Sequence, residues 1–425
     1  MLGSVAPTTR LDGTVRLRAL DGVRGIAGMG VLLFHVGAPG VLGGALGVDL
    51  FFVLSGFLIT SLLLAERERA GVIDLPRFWA RRATRLWPPL AVVLLLGIPW
   101  ASTLSSGHSG SSYAHEAASA ATWSMNITTT AQATALHPLG FTWTLAQEEQ
   151  FYLLWPLVLV VAFALGLRGR GCSLLALSAA ALSWALLILG WHGSVFLPPV
   201  YSRPDTRAFP ILIGCALALG ITSTAWVPKV LQRSDIGLLG AAVLAGGLAL
   251  PGLQHWSERA TVVGGAPMVA VGGALVIGHV ATRRAGPVDA ALRFHPLAAL
   301  GRISYSLYLV QKPVLDVVYS HDHHVLPRRG PYVRVVEVLI ALAAAVILWA
   351  VVERPAQRLA HGLLRRGSVR ETLPARGQRP ARVRFALAAG ALGAVPVVMA
   401  CTGAALSVHG GQHPTTVPSV AGPAP

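Results

Sequence analysis

Apolar residues along this chain come in long runs broken by short polar segments, not in alternation. About 20 apolar helical residues cross a hydrocarbon core roughly 30 Å thick. Against that length, candidate spans fall near residues 22–40, 44–65, 86–103, 148–166, 172–190, 208–226, 236–253, 264–281, 303–320, 332–352 and 384–408. Backbone polar groups in lipid must be satisfied within the segment, so the pattern predicts helices. The expected fold is an all-α, polytopic membrane helix bundle, with ten helices over 22–352 and an eleventh over 384–408. Residues 111–135 are semi-apolar but contain "NITTTAQAT" and lack a continuous apolar core. They read as a loop or re-entrant segment. Residues 1–21 precede the bundle, 353–383 form a basic, Pro-containing linker, and 409–425 are a Gly- and Pro-rich tail with no core-forming pattern.

Composition supports lipid as the solvent. Of 425 residues 54% are hydrophobic and 12% charged, about half the charged fraction of a soluble domain. The net charge of +16 raises the question of a nucleic-acid partner, and the placement of the basic residues answers it. With the N-terminus in the cytoplasm, the inside segments hold 26 Lys and Arg and the outside segments 5. That bias is the positive-inside signal of a membrane protein. No nucleic-acid partner is expected. The C-terminus falls outside, and the first span serves as its own anchor. The three cysteines are scattered over different spans and imply no disulfide framework.

The first span, "LDGVRGIAGMGVLLFHV", carries two ionisable residues, Arg24 and His35. Eleven residues rotate a helix to within about 20° of the starting face and advance it about 16 Å. Both groups therefore share one face, with one near a membrane surface and the other deep. A snorkelling Arg and a His bonded to a neighbouring helix is the plainer use. Ionisable groups inside a membrane nevertheless default to a functional hypothesis.

Further polar positions extend that hypothesis. In "DLPRFWARRATRLWPP", Asp74 is placed to cap a helix whose early Pro76 is well tolerated. Arg82 and Arg85 share a face and suit a phosphorylated ligand, although any cytoplasmic loop is basic. In "FTWTLAQEEQFYLLWP", Thr144 and Gln147 have capping-box spacing, which predicts a helix start at Thr144, and Glu148 and Tyr152 lie on one face. Asp205 and Arg207 read as a structural ion pair at the outer mouth of a span. Asp49, close to the lipid boundary, needs a polar partner. The run "HDHH" at 321–324 is too compact for its side chains to converge on one ion, so no metal site is expected.

Taken in order, "LDGVRGIAGMGVLLFHV", "GVDLFFVLSGFLIT", "RRATRLWP", "TLAQEEQFYLLWP", "DTRAFPILIG", "GRISYSLYLVQKPV" and "VERP" resemble the bacterial integral-membrane acyltransferases of the acyltransferase-three family, over roughly residues 20–355. The resemblance implies transfer of an acetyl or larger acyl group from acyl-CoA to an envelope sugar, peptidoglycan or a secreted small molecule. It carries roles onto Arg24, His35, Arg82, Arg85 and Glu148. One departure is visible: where the family reads Leu-Trp-His before a proline, this chain has Val310, Gln311 and Lys312. The extra eleventh span is used by some relatives to present an extracytoplasmic hydrolase-like domain. Only a short tail follows here, so any second step is expected from a separate extracytoplasmic transferase.

The expected mechanism follows from sidedness. Arg82 and Arg85 hold the donor's phosphates at the cytosolic surface, and Arg24 guides the thioester arm. His35 takes the acceptor hydroxyl's proton or is itself acylated, and Glu148 orients or steadies the imidazole. The acceptor is a carbohydrate or other hydroxyl compound, and the lipid bilayer is the remaining partner. The competing class is a secondary transporter, or a carrier of a lipid-linked or sugar substrate, which would show broken helices in matching halves.

Overall fold

The structure is a computed structural model, which describes residues 15–103, 110–132, 139–191, 199–249, 251, 259–282, 286–322 and 330–360. All lie in one unit, residues 1–369. The eleventh window, 384–408, and the tail fall outside the described residues. No strand occurs among the described residues, and the protein is an all-α, multi-pass membrane protein.

A helix overlaps each of the first ten windows. In chain order the α-helices are α1 (Val15–His35), α2 (Gly47–Ala70), α3 (Leu75–Thr103), α4 (Gly110–Ala121), α5 (Met125–Gln132), α6 (Trp143–Ala164), α7 (Gly169–Gly190), α8 (Pro204–Arg207), α9 (Phe209–Ser223), α10 (Trp226–Leu231), α11 (Ser234–Ala249), α12 (Ala266–Thr282), α13 (Pro287–Leu292), α14 (His295–Arg302), α15 (Ser304–Asp322) and α16 (Pro331–Leu348). Four stretches are by themselves long and apolar enough to cross a membrane: Leu42–Ala70, Gly169–Gly190, Ala260–Thr282 and Pro331–Ala360. Leu154 and Leu157 on α6, Leu174 and Leu189 on α7, and Leu339 and Ile347 on α16 point outward, as a lipid-facing surface requires.

Local chemistry sets several boundaries. Gly71 ends α2 in the left-handed region (φ 76°), with its N–H on the Arg67 carbonyl. The Asp74 carboxylate accepts the Arg77 N–H at 3.1 Å, the cap expected for α3. The segment read as a loop or re-entrant segment forms two short helices, α4 and α5, of 12 and 8 residues. At about 1.5 Å per residue neither can span the bilayer. Tyr113 on α4 donates to the Leu94 carbonyl, and Asn126 on α5 and Gln150 on α6 exchange hydrogen bonds. These polar partners replace the missing apolar core.

The helices α1, α2, α9 and α12 pack together at the centre. α2 and α9 approach closely because Gly56 and Gly214 face each other's backbones. A Cβ on Gly56 would lie 1.9 Å from the Ile211 carbonyl oxygen, and one on Gly214 would lie 2.0 Å from that of Val53. In lipid such close approach supplies the dispersion that holds helices together.

Candidate active site

Five helices, α1, α2, α3, α6 and α15, enclose a narrow slot of about 90 Å³. Side-chain hydrogen bonds lace four of these helices, α2, α3, α6 and α15, together. Pro156 within α6 has no N–H, which leaves the Tyr152 carbonyl free one turn earlier. The Trp79 indole N–H of α3 occupies that carbonyl at 3.1 Å. Tyr305 on α15 donates to the Leu86 carbonyl of α3 at 2.7 Å. Tyr308 donates to the Phe141 carbonyl at 2.7 Å and lies 2.5 Å from the Thr144 hydroxyl. Trp155 on α6 donates to Thr60 on α2 at 2.8 Å.

Thr144 is therefore not the helix cap its spacing predicted. α6 begins at Trp143, with Thr142 at the capping position and no side-chain cap bond. The Thr144 hydroxyl is drawn to Tyr308 on α15, a partner that local sequence could not show.

Four of the five sequence-predicted site residues meet in the slot. Arg24, Arg82, Arg85 and Glu148 all line it, with Ser55, Tyr152, Tyr305 and Tyr308. Arg24 is paired to Asp21 at 3.2 Å and faces Arg82 and Arg85. Glu148 accepts the Ser55 hydroxyl at 2.7 Å and faces Arg82, Tyr152 and Arg24. The Arg82 guanidinium lies over the Tyr152 ring, 4.6 Å from its centroid. Glu149 adds a second carboxylate facing Arg82 and Arg85.

His35 stands apart from this cluster, at the last residue of α1. The expectation that Glu148 steadies its imidazole is not what the structure shows. Glu148 is held by Ser55 and faces Arg82 and Arg24, and Arg24 lies eleven residues before His35 along α1. The imidazole instead faces Gln311 and Lys312 of α15, the very positions at which the chain departs from the family motif. The Gln311 side chain is buried, and neither its amide oxygen nor its nitrogen nor the His35 Nδ1 reaches hydrogen-bonding geometry. Lys312 is itself paired with Asp316.

On the other side of Arg82 and Arg85 the slot gives way to a wide vestibule of about 600 Å³, between the end of α2 and the start of α3. Arg69, Arg77, Arg81, Arg82 and Arg85 line it, with Glu66, Leu62, Ala70 and Phe78. Arg82 and Arg85 thus belong to both cavities. The buried Nε of Arg85 has no hydrogen-bond partner. This donor set fits an anionic, phosphorylated ligand with a narrow arm.

One other expectation resolves differently. Arg207 is paired with Asp49, not Asp205: its Nη2 lies 2.8 Å from one Asp49 oxygen and 3.0 Å from the other, with both residues fully buried. Tyr201, Phe209 and Trp143 surround the guanidinium at 4.7 to 6.0 Å from their ring centroids. Asp205 is bound by Arg203, whose N–H groups hold its carboxyl below the ordinary carboxylate range. The desolvated carboxylate of Asp49 drew the nearer cation out of the local sequence pair. The side chains of 321–324 lie outside the described residues, and no cluster of metal ligands occurs among the described residues.

The sequence missed Ser55, Tyr305 and Tyr308 as slot residues. Only the proline four residues after Tyr152 signalled in advance that an α6 carbonyl needed a donor.

Residues 17–354 match the family described as the acyltransferase domain, and the chain belongs to that family. Among curated proteins it is similar to the O-acetyltransferase OatA of Staphylococcus aureus (strain NCTC 8325 / PS 47), 33% identical over 362 residues, which cover 80% of this chain and 57% of that protein. It is also similar to the peptidoglycan O-acetyltransferase OatA of Listeria monocytogenes serovar 1/2a, 29% identical over 312 residues, covering 70% of this chain and 49% of that one. The chain thus spans about half the length of these relatives. No solved structure matches it.

Proposed function

We propose that this chain is a membrane-embedded O-acyltransferase that moves an acyl group, acetyl in the simplest case, from cytosolic acyl-CoA to a hydroxyl of a cell-envelope carbohydrate. The observation that carries this reading is the junction at Arg82 and Arg85, which line both a wide basic vestibule and a narrow slot. A coenzyme thioester has that shape and charge: a bulky phosphorylated end and a thin neutral arm. The charge bias supports a vestibule that opens to the cytosol. The relatives' names make peptidoglycan the acceptor to try first.

The residues then divide the work by depth. Arg82 and Arg85 bind the diphosphate, and the pantetheine arm runs past Arg24 along the face of α1 that ends at His35. Glu148 and Ser55 hold the arginine frame from α6 and α2. Neutral His35 removes the proton of the acceptor hydroxyl as its oxygen attacks the thioester carbonyl. The carbon–sulfur bond breaks, and the leaving thiolate recovers that proton from the imidazolium. Gln311, whose buried amide faces the ring, would orient the acceptor. An extracytoplasmic transferase, where one exists, would take the product onward.

The test is transfer from labelled acetyl-CoA to peptidoglycan fragments by the full chain in proteoliposomes. Product is expected with wild type. Arg82→Ala with Arg85→Ala should raise the apparent donor constant, and the wild-type constant should itself rise with salt. A transporter would move substrate without forming product. A change confined to acceptor dependence would refute the phosphate site.

A further inference from the structure

The vestibule holds more positive charge than the neck of the slot accounts for. Arg82 and Arg85 at the neck face Glu148 and Glu149 on the slot side. Arg69, Arg77 and Arg81 stand farther out, on the last turn of α2 and the first two turns of α3. Gly71, in the left-handed conformation, ends α2 four residues before α3 begins, and both helix ends line the vestibule. All three arginines are exposed. The Arg69 Nε donates to the Ala65 carbonyl at 3.0 Å, and Arg81 lies 3.7 Å from Glu66. Glu66 is the one carboxylate among the residues lining the vestibule. The rim therefore presents three guanidiniums against one carboxylate, beside an apolar wall of Leu62, Ala70 and Phe78.

That surplus of about two positive charges matches a phosphate monoester, which carries about −1.5 to −2 at pH 7. A diphosphate at the neck would leave it unanswered. Coenzyme A bears one such monoester, on the ribose 3′ position, next to a base that suits the apolar wall. We propose that Arg69, Arg77 and Arg81 form a subsite for the 3′-phosphate of the donor, so that the chain selects 3′-phosphorylated coenzyme over its dephosphorylated form. The proposal rests on the acyl-CoA reading above. An anionic lipid headgroup offers the same phosphate chemistry at this depth, and the experiment separates the two sources.

Binding of coenzyme A and of 3′-dephospho-coenzyme A is measured calorimetrically on the full chain in phosphatidylcholine nanodiscs. A parallel set contains phosphatidylglycerol. Wild type should bind coenzyme A about 10- to 100-fold more tightly than the dephospho form, the effect of losing charge-assisted contacts. Arg69→Gln/Arg77→Gln/Arg81→Gln should bring coenzyme A down to the dephospho affinity and leave the dephospho affinity unchanged, in both lipids. These side chains are exposed, so the variant should keep the wild-type melting temperature. Equal wild-type affinities, or an equal loss for both ligands in the variant, would overturn the subsite. Equal affinities together with loss of retained phosphatidylglycerol in the variant would assign the rim to lipid. If wild type binds neither coenzyme, the donor reading itself fails and takes the subsite with it.

Discussion

Arg207 and Asp49 show what a membrane interior demands of single residues. Each is fully buried, and each would be an isolated charge without the other. Breaking such a pair by removing one partner costs about 3–5 kcal/mol, whereas replacing both with apolar residues of similar volume is often neutral. Arg207→Met or Asp49→Leu alone should lower the melting temperature in detergent sharply, and the double variant should recover most of the loss. Failure of the double variant to recover would mean that the pair does more than compensate charge. His35 is a different case. It is half-buried at the end of α1, and its ring neighbours are an unsatisfied amide and a paired lysine. Its ring contacts are with the neighbouring Phe34 and with Gln311 and Lys312 of α15. His35→Ala should therefore leave membrane abundance intact and lower transfer by about 10² to 10⁴, the usual contribution of a general base. Wild-type turnover in that variant would remove His35 from the mechanism.

At the scale of elements, side-chain hydrogen bonds join four of the slot helices, α2, α3, α6 and α15, and one of these bonds answers a defect. Pro156 deprives the Tyr152 carbonyl of its helical partner, and Trp79 supplies one from α3. Leaving a buried carbonyl unsatisfied costs about 1–3 kcal/mol. Trp79→Phe should destabilise the protein by about that much. Pro156→Ala returns an N–H to α6, so it should cancel most of the loss in a double-variant cycle read by thermal melting. Additive losses would show that the indole acts by packing alone. The windows for these helices could be read from hydropathy, because lipid demands about 20 apolar residues wherever a helix crosses. α4 and α5 escaped that reading. Their polar residues are answered by Leu94 and Gln150 on other helices, and no local pattern reports such partners.

Over the whole molecule, orientation rests on the distribution of Lys and Arg. It predicts that the vestibule between α2 and α3 faces the cytosol and that α4 lies outside. In a background with Cys172, Cys215 and Cys401 replaced, Ala114→Cys should react with an impermeant thiol reagent on intact cells. Glu68→Cys should react only after permeabilisation. Both positions are exposed in the structure. Labelling of Glu68→Cys from outside would invert the topology and, with it, the route proposed for acyl-CoA.

What the sequence by itself determined is the solvent, the helical class, the candidate spans and the residues worth suspecting. These follow from hydropathy, helical periodicity and charge placement, all of them properties of neighbours along the chain. Arg24 and His35 share a face of α1 because 3.6 residues make a turn, and that was readable. Only the tertiary structure decided that Glu148 joins Ser55 and the arginines rather than His35, that Arg207 pairs with Asp49 rather than Asp205, and that Arg82 and Arg85 stand where two cavities meet. In each case a charged or polar group removed from water took the best partner in space, and that partner lay on another helix.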